Sequence, residues 1–205
     1  MSIFKKEVLS KDQLKVLPII RKFKRSFYLV GGTAIALYLG HRKSVDFDLF
    51  TNRTLDKKYL DNRLKQLGIK YKLAYQTKHE WTIFIKNVKV TFYNFPENIK
   101  PDKDFENIIK IPSLLDLAAM KAFTIGERAK WKYYVDLYFI IKDFFPIQKI
   151  INNAYSIFQD RFNEKLFREQ LTYFDDINFS EPIEYVVSES DNETIKNFLI
   201  NAALH

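Results

Sequence analysis

Several common chemical features are missing from this 205-residue sequence. It contains no cysteine, which excludes a disulfide framework and thiolate chemistry. Its three histidines lack metal-site spacing, and no Ser-His-Asp arrangement, Walker A motif or dinucleotide-binding glycine motif is present. No apolar run approaches the roughly 20 residues that cross a bilayer, and the N-terminus has no apolar signal segment. We therefore expect a soluble, cytoplasmic protein without membrane contacts.

Positive charge is in excess. The chain has 33 Lys and Arg against 25 Asp and Glu, a formal net charge of +8. Such a surface attracts polyanions, including nucleic acid and nucleoside triphosphates. Genome composition explains lysine-rich usage equally well, so the charge alone does not identify a partner. Apolar residues make up 47% of the chain, enough for a sizeable core.

Two aspartates, Asp46 and Asp48, lie one residue apart in the apolar string SVDFDLF. Alternate residues of a strand point to the same face, so both carboxylates should project together while Val45, Phe47 and Leu49 enter the core. Neighbouring carboxylates repel one another and lose hydration, and a divalent cation relieves both effects. The alternative is a pair of surface carboxylates on an edge strand, which the apolar neighbours disfavour. The pattern predicts a metal site.

The hydrophobic pattern predicts an α/β (α+β) fold with a mixed sheet followed by helices. Strands are predicted at residues 27–30, 45–50, 69–75, 81–86 and 88–95, and the helices among them at 10–25, 34–40 and 54–66. A proline-containing loop follows, and helices are then predicted at 113–125, 127–144, 147–162, 164–174 and 191–204, with a short strand near 183–187. We predict one lobe over residues 1–110 and a helical lobe over 111–205.

A glycine pair, Gly31 and Gly32, joins the first strand to a helix. A turn that opens a helix presents unpaired N–H groups at the positive end of the helix dipole, which suits phosphate. Gly-Gly is more often only a tight turn. Here, however, thirteen residues separate Gly32 from Asp46, enough for one short helix and a return. The spacing predicts that a phosphate cradle faces the carboxylate pair.

The string LVGGTAIALYLGHRKSVDFDLF resembles the first motif of the polymerase-β-type nucleotidyltransferases, a glycine pair followed by Asp-h-Asp-h. Together with IPSLLDLAAMKA and YYVDLYFII, it is similar to the AbiEii/AbiGii toxin family of nucleotidyltransferases. The resemblance covers roughly residues 27–142. It implies an enzyme that transfers a nucleoside monophosphate from an NTP to an acceptor. It also implies Mg2+ (or Mn2+), an RNA acceptor such as tRNA, and a cognate antitoxin.

The residue patterns and the resemblance together give the residues expected to form the site. The expected catalytic residues are Asp46, Asp48, Lys121 and Asp136, of which Asp46 and Asp48 also bind the metal. The residues expected to bind the nucleotide are Gly31, Gly32, Thr33, Arg42, Ser44 and Lys121. The residues expected to contact RNA are Arg128, Lys130 and Lys132.

Some of these residues have simpler interpretations. Arg42 can pack across its turn, Lys121 can extend out of an apolar stripe, and Asp136 can pair with Lys132 one helical turn away. The basic residues that alternate with aromatics at 128–134 fit a solvated helix end nearly as well as phosphate contact and base stacking.

One position departs from the superfamily pattern. A third carboxylate, which helps activate the attacking hydroxyl, is expected on a later strand, where this chain has Thr91. A threonine cannot act as a base or replace the missing charge. One-metal chemistry, a base from elsewhere and a degenerate site are all compatible with it. The alternative functions are therefore a catalytically degenerate nucleotide- or partner-binding module and an antibiotic-modifying nucleotidyltransferase.

Overall fold

A mixed seven-stranded sheet organises the chain. The structure is a computed structural model that describes residues 4–126, 129–188 and 190–205. The strands are β1 (Tyr28–Val30), β2 (Phe47–Thr51), β3 (Tyr71–Gln76), β4 (Glu80–Ile85), β5 (Val88–Asn94), β6 (Lys103–Phe105) and β7 (Ile109–Ile111). Their order is β3-β4-β5-β2-β1-β7-β6, with β2/β5 and β1/β7 parallel and the remaining pairs antiparallel. The motif-bearing strands β1 and β2 are therefore central.

Eight α-helices lie in the described residues. They are α1 (Lys11–Ile20), α2 (Gly31–Leu39), α3 (Lys57–Gln66), α4 (Leu114–Ile125), α5 (Trp131–Asp143), α6 (Ile147–Phe158), α7 (Glu164–Gln170) and α8 (Asn192–Leu204). In the part of the chain that the structure describes, no helix has the length and apolar character needed to span a bilayer.

The local signals explain most of the boundaries. Ser10 Oγ accepts from the Gln13 amide at 3.1 Å and caps α1, as predicted, and Gly40 ends α2 in the left-handed region at φ +68°. The helix predicted at residues 54–66 begins later, at Lys57. Asp56, one residue before α3, accepts from the Tyr59 amide at 2.9 Å and caps the helix.

Aromatic side chains join the helices to both faces of the sheet. On the Leu49 face, Phe23 packs edge-on against Phe92 with ring centroids 5.1 Å apart. On the opposite face, Phe158 of α6 stacks on Phe123 of α4 at 4.1 Å and lies 6.3 Å from Phe95. The helices that follow the sheet in the chain therefore cover the face that carries Asp48.

Two sequence predictions failed here. Residues 103–111, predicted as loop, form β6 and β7, since β7 pairs beside β1 and extends the sheet. Val45, predicted to be core, is 63% exposed, whereas Phe47 and Leu49 are fully buried. Strand β2 begins only at Phe47, so the alternation of faces does not reach back to Val45. At the predicted lobe boundary, β7 ends at Ile111 and α4 begins at Leu114, and the division into lobes stays a prediction.

Candidate active site

The glycine pair brings a carboxylate and a guanidinium against the start of α2. Gly31 has φ +72°, and a Cβ at that position would overlap Asp48 Oδ2. A Cβ on Gly32 would lie 2.8 Å from Arg42 Nη2 and 3.2 Å from Ser44 Oγ. Both glycines are therefore required by close side-chain approach, and Gly31 also by its backbone conformation.

The two aspartates differ in their surroundings. In β2, Asp48 is paired with Val30 on one side and Thr91 on the other, and it is partly exposed. Burial of its carboxyl raises its pKa, and the charge of Asp46 raises it further. Asp46 has a cation of its own, because Lys89 Nζ lies 2.7 Å from Asp46 Oδ2. The pair is thus only partly neutralised by protein groups.

This donor set fits one hard divalent cation. Mg2+ is commonly held by one or two carboxylates and completes its shell with substrate phosphates and water. Asp46 and Asp48 supply such carboxylates, and the raised pKa of Asp48 reflects charge that a cation would neutralise. Among the described residues, no group of three or more His, Cys, Asp or Glu side chains could hold a metal.

The position where the superfamily has its third carboxylate is occupied by Thr91, and a second threonine lies beside it. The register places Thr91 of β5 directly beside Asp48, and Thr82 of β4 directly beside Thr91. Thr82 Oγ1 lies 3.3 Å from Thr91 Oγ1 and donates to Glu80 Oε1 at 2.7 Å. The neighbour of Asp48 on β5 therefore offers a hydroxyl and not a second carboxylate.

Asp136 lies at the centre of a buried ionic cluster. Its carboxylate, with 0% exposure, is contacted by His41 Nε2 at 2.8 Å, by Arg42 Nε at 2.7 Å and Nη2 at 2.9 Å, and by Lys121 Nζ at 3.1 Å. Burial opposes ionisation, but the charges of Arg42 and Lys121 and the hydrogen bond from His41 outweigh it and hold the Asp136 pKa well below its usual range. We refer to these four residues as the Asp136 cluster.

His41 is a neutral member of this cluster. It is 1% exposed, and burial lowers its pKa although the hydrogen bond to Asp136 partly opposes the shift. The neutral ring therefore carries its proton on Nε2 and donates it to the carboxylate. Its other nitrogen, Nδ1, is buried and has no hydrogen-bond partner among the described residues. His41 therefore orients Asp136.

The simpler interpretation of Asp136, an ion pair with Lys132, is wrong. Lys132 contacts Glu181 instead, and Asp136 is bound by residues 15, 94 and 95 positions away in the sequence. Arg42 packs across its turn, the second of its two interpretations, because it is 4% exposed and its guanidinium is shared between Asp136 and the Lys43 carbonyl. Engagement by three side chains leaves Asp136 poorly suited to act as an acid or base.

Thr33 and Ser44 connect the glycine turn to the aspartate strand. Thr33 is 1% exposed, its hydroxyl donates to the Asp46 carbonyl, and it lies 3.0 Å from Ser44 Oγ. The Thr33 side chain is therefore occupied inside the protein and fixes the start of β2. Ser44 is partly exposed, and its Oγ lies beside Gly32.

Lys121 is nearly enclosed. It is 6% exposed, and its ammonium lies 3.9 Å from the ring centroid of Tyr133 as well as against Asp136. Its charge still opposes the rise in the Asp48 pKa, as does that of Lys132. Lys121 is thus held in place by a buried anion and an aromatic face.

A segment after α7 lies across this region. Glu181 forms ion pairs with both Lys130 and Lys132, and these cations lower its pKa to about 2 although burial acts in the opposite direction. Val186 N donates to the His41 carbonyl at 2.9 Å. Two of the predicted RNA contacts are therefore paired inside the chain, while Arg128 lies outside the described residues.

Three functional contacts were missing from the sequence interpretation: His41 and Lys89 on the carboxylates, and Glu181 on the lysines. Lys89 had a usable signal, since it lies two residues before Thr91 and hence on the same strand face. His41 and Glu181 had none, because their partners are distant in sequence.

Comparison with known proteins gives consistent matches. The family model described as nucleotidyl transferase AbiEii toxin, type IV TA system, matches residues 19–199. An uncharacterised Aquifex aeolicus protein is 29% identical over 188 residues, covering 85% of this chain and 89% of that protein. A putative nucleotidyltransferase from H. pylori superposes with TM-score 0.56 at 17% identity, over 95% of this chain and 94% of that one. MenT4, a nucleotidyltransferase toxin from Mycobacterium tuberculosis, superposes with TM-score 0.55 at 11% identity, over 93% and 80%.

Proposed function

The chain belongs to the AbiEii nucleotidyl transferase toxin family and is a nucleotidyltransferase, and on that premise we propose that it is a Mg2+-dependent toxin that transfers a nucleoside monophosphate from an NTP to RNA, with tRNA as the favoured acceptor. The observation that carries the proposal is the carboxylate of Asp48 held against Gly31, at the start of α2 and beside Asp46. The family implies an antitoxin partner, and we place the pair in the cytoplasm.

The reaction joins an acceptor hydroxyl to the α-phosphorus. The new P–O bond forms as the bond to the β-phosphate breaks, and pyrophosphate leaves with the electron pair of that bond. Asp46 and Asp48 would hold a divalent cation, which supplies charge neutralisation at the phosphates when bound. The backbone N–H groups at Gly31 and Gly32, with Ser44, face the phosphates.

The cations behind the site act on position and charge. Lys121 faces the triphosphate, and Asp136 fixes its ammonium and the Arg42 guanidinium. Asp136 is therefore a positioning residue in this proposal. Neither it nor Thr91 is free to take the acceptor proton, since Asp136 is bound by three side chains and a threonine is not a base at neutral pH. We assign the proton to solvent water.

The test is label transfer. Purified protein is incubated with each α-labelled NTP, Mg2+ and total tRNA, beside Asp48→Ala and the matched surface variant Asp143→Ala. We expect labelled RNA with wild type and Asp143→Ala, and a loss on the order of 100-fold or more with Asp48→Ala, comparable to removing a main transition-state contact.

Other outcomes would contradict the proposal in different ways. Transfer that is unaffected by Asp48→Ala removes the assigned site. NTP binding without Mg2+ dependence or turnover identifies a degenerate binding module. Label found on an aminoglycoside or lincosamide but not on RNA identifies an antibiotic-modifying enzyme.

A further inference from the structure

A cluster of cations lies away from the carboxylate site, in the sequence RKFKRS at residues 21–26. The chain leaves α1 at Ile20 and makes a 3-10 turn at Arg21–Phe23, and Phe23 at its end is 3% exposed. The Ser26 and Phe27 amides both donate to the Phe23 carbonyl, at 3.0 and 3.1 Å. A buried aromatic thus anchors a hydrogen-bonded turn whose flanking basic residues stay at the surface.

These basic residues line a hollow of about 900 Å³ between α1 and α3. Arg21, Lys22, Lys24 and Arg25 come from the turn, and Arg63 comes from α3. No acidic side chain is among the described residues that line it. Four of the five cations form no ion pair or side-chain hydrogen bond with any described residue, and Lys24 contacts only Asn107.

Arg63 adds an independent observation. Its Nε is buried and has no hydrogen-bond partner within the described chain. A buried charged donor without an acceptor is costly, because it loses hydration with nothing in return. An anion bound in the hollow would supply the missing acceptor. The lysines near the carboxylate site differ, since Lys89, Lys130 and Lys132 each have a carboxylate partner.

The cationic surface continues toward the sheet. A second hollow of about 550 Å³ shares Lys24 and Arg25 with the first and adds Arg53 and Lys110. Its one acidic lining residue among those described, Asp104, accepts from the Asn107 amide. Two adjoining hollows with shared cations form a path longer than one phosphate group requires.

The walls of the first hollow also carry exposed apolar surface. Tyr59 is 53% exposed and Leu14 is 43% exposed, and both line the hollow beside the cations. A positively charged groove with an exposed aromatic face is the arrangement that binds a polynucleotide backbone and stacks its bases.

The second hollow lies at the other end of β1 and β2 from the carboxylate site. Antiparallel pairing puts Val30 beside Asp48 and Tyr28 beside Phe50, and the second hollow is lined by Tyr28 and Thr51. Thr51 lies three residues from Asp48 on β2, which at about 3.3 Å per residue is roughly 10 Å. A chain bound in the hollows therefore lies at the opposite end of β1 and β2 from Asp48, and a segment that extends roughly 10 Å beyond them is needed to reach the site.

We propose that these two hollows, defined by Arg21, Lys22, Lys24, Arg25, Arg53 and Arg63, form a binding groove for the phosphate backbone of RNA. The groove holds the body of the acceptor outside the carboxylate site. The inference rests on the proposed RNA acceptor, but it concerns binding and does not require transfer.

The test measures binding in the Asp48→Ala background, so that turnover does not interfere. The groove variant is Arg21→Glu with Arg25→Glu, and the matched control is Lys70→Glu with Lys72→Glu, two exposed lysines outside both hollows with the same change in charge. Fluorescence anisotropy with labelled tRNA is recorded over a series of KCl concentrations, and thermal unfolding checks that each variant is folded. Arg21→Gln with Arg25→Gln serves as a milder groove variant if the reversal does not fold.

We expect the groove variant to bind tRNA at least about 10-fold more weakly than the control. The magnitude of the slope of log affinity against log salt concentration should fall by about one to two, because each phosphate contact that is lost leaves about one fewer counterion to be released on binding. Equal losses of tRNA affinity in the groove and control variants would contradict the proposed groove, because net charge alone would then explain the binding. Absence of RNA binding by the wild-type protein would also contradict the proposed groove. The same holds if the hollows bind an acidic antitoxin and not RNA.

Failure of the groove and failure of the proposed chemistry have different signatures. Groove-dependent tRNA binding without label transfer contradicts the transferase proposal and retains the groove. Label transfer to RNA that is unchanged in the groove variant contradicts the groove and retains the chemistry.

Discussion

Asp136 and the pair Asp46 and Asp48 are buried or half-buried carboxylates that the fold treats in opposite ways. Asp136 is surrounded by His41, Arg42 and Lys121, and its pKa is held well below the usual range. Asp48 has no ion-pair partner in the described chain, and its pKa is raised by burial and by Asp46. A carboxylate that is surrounded by cations of the protein holds those side chains in place. A carboxylate without an ion-pair partner is suited to bind an added cation.

The two environments are connected through one side chain. Arg42 binds Asp136 through Nε and Nη2, and the same Nη2 lies against Gly32 beside Ser44. The buried anion thus fixes a guanidinium at the back of the glycine turn. In our proposal the Asp136 cluster positions the cations, and the aspartate pair meets the substrate.

The largest expected effect comes from removing the charge of Asp136. Asp136→Asn leaves two buried cations without an anion, and we expect it to lower the free energy of unfolding by about 3–5 kcal/mol. Urea denaturation measures the change, with Asp143→Asn, an exposed position on the same helix, as the control. A loss below about 1 kcal/mol, similar to the control, would contradict an anchoring role.

A pH series separates the two carboxylates by sign. The raised pKa of Asp48 means that its contribution to stability is complete below its ordinary pKa of 3.8 and is lost as pH rises through the folded-state value. Asp48→Asn should therefore stabilise the protein more at about pH 7 than at about pH 4. The depressed pKa of Asp136 acts oppositely: its contribution is present above 3.8 and is lost as pH falls through the folded-state value.

Thermal or urea unfolding of wild type and both asparagine variants provides the measurement, over a range from about pH 7 to well below pH 3.8 so that the titration of Asp136 is included. Each carboxylate can change the slope of stability against pH by up to about 1.4 kcal/mol per pH unit. Parallel curves for the two variants would show that the two environments do not differ as described.

A smaller effect, on metal affinity, is expected from substituting Lys89, which forms an ion pair with Asp46. Lys89→Met removes an ammonium 2.7 Å from the carboxylate, so a divalent cation no longer competes with it. For a partly exposed pair worth up to about 1 kcal/mol, Mn2+ should bind roughly 2- to 5-fold more tightly. Titration followed by electron paramagnetic resonance measures this, and Lys72→Met is the control. Weaker Mn2+ binding would mean that Lys89 orients Asp46 and does not compete.

The smallest effect is expected at Glu181. Glu181→Gln releases Lys130 and Lys132 from an ion pair that is largely at the surface. We expect tRNA to bind about 2-fold more tightly, because two cations become available and exposed ion pairs contribute little. The control is Glu169→Gln, which breaks the exposed pair with Lys165. Equal affinities for both variants would assign Lys130 and Lys132 a structural role only.

The local sequence predicted the central element well. The glycine pair, the helix that ends at Gly40 and the two aspartates all lie within residues 31–48, where strand alternation and turn chemistry act over short distances. The same logic predicted that Thr91 takes the third-carboxylate position, and the register places it beside Asp48. It failed at Val45 and at β6 and β7, because strand length and edge pairing depend on neighbouring strands.

The sequence by itself determined the family and the mixed fold, because these follow from local spacing and from a motif along one segment, and it predicted the role of the two aspartates. Only the tertiary structure decided which cations those carboxylates meet. Asp136 binds Arg42 and His41 across 94 and 95 residues, and Arg63 of α3 lines the same hollow as the turn at residues 21–26. Electrostatic neutralisation depends on distances between atoms a few ångströms apart, and no periodicity along the chain encodes them.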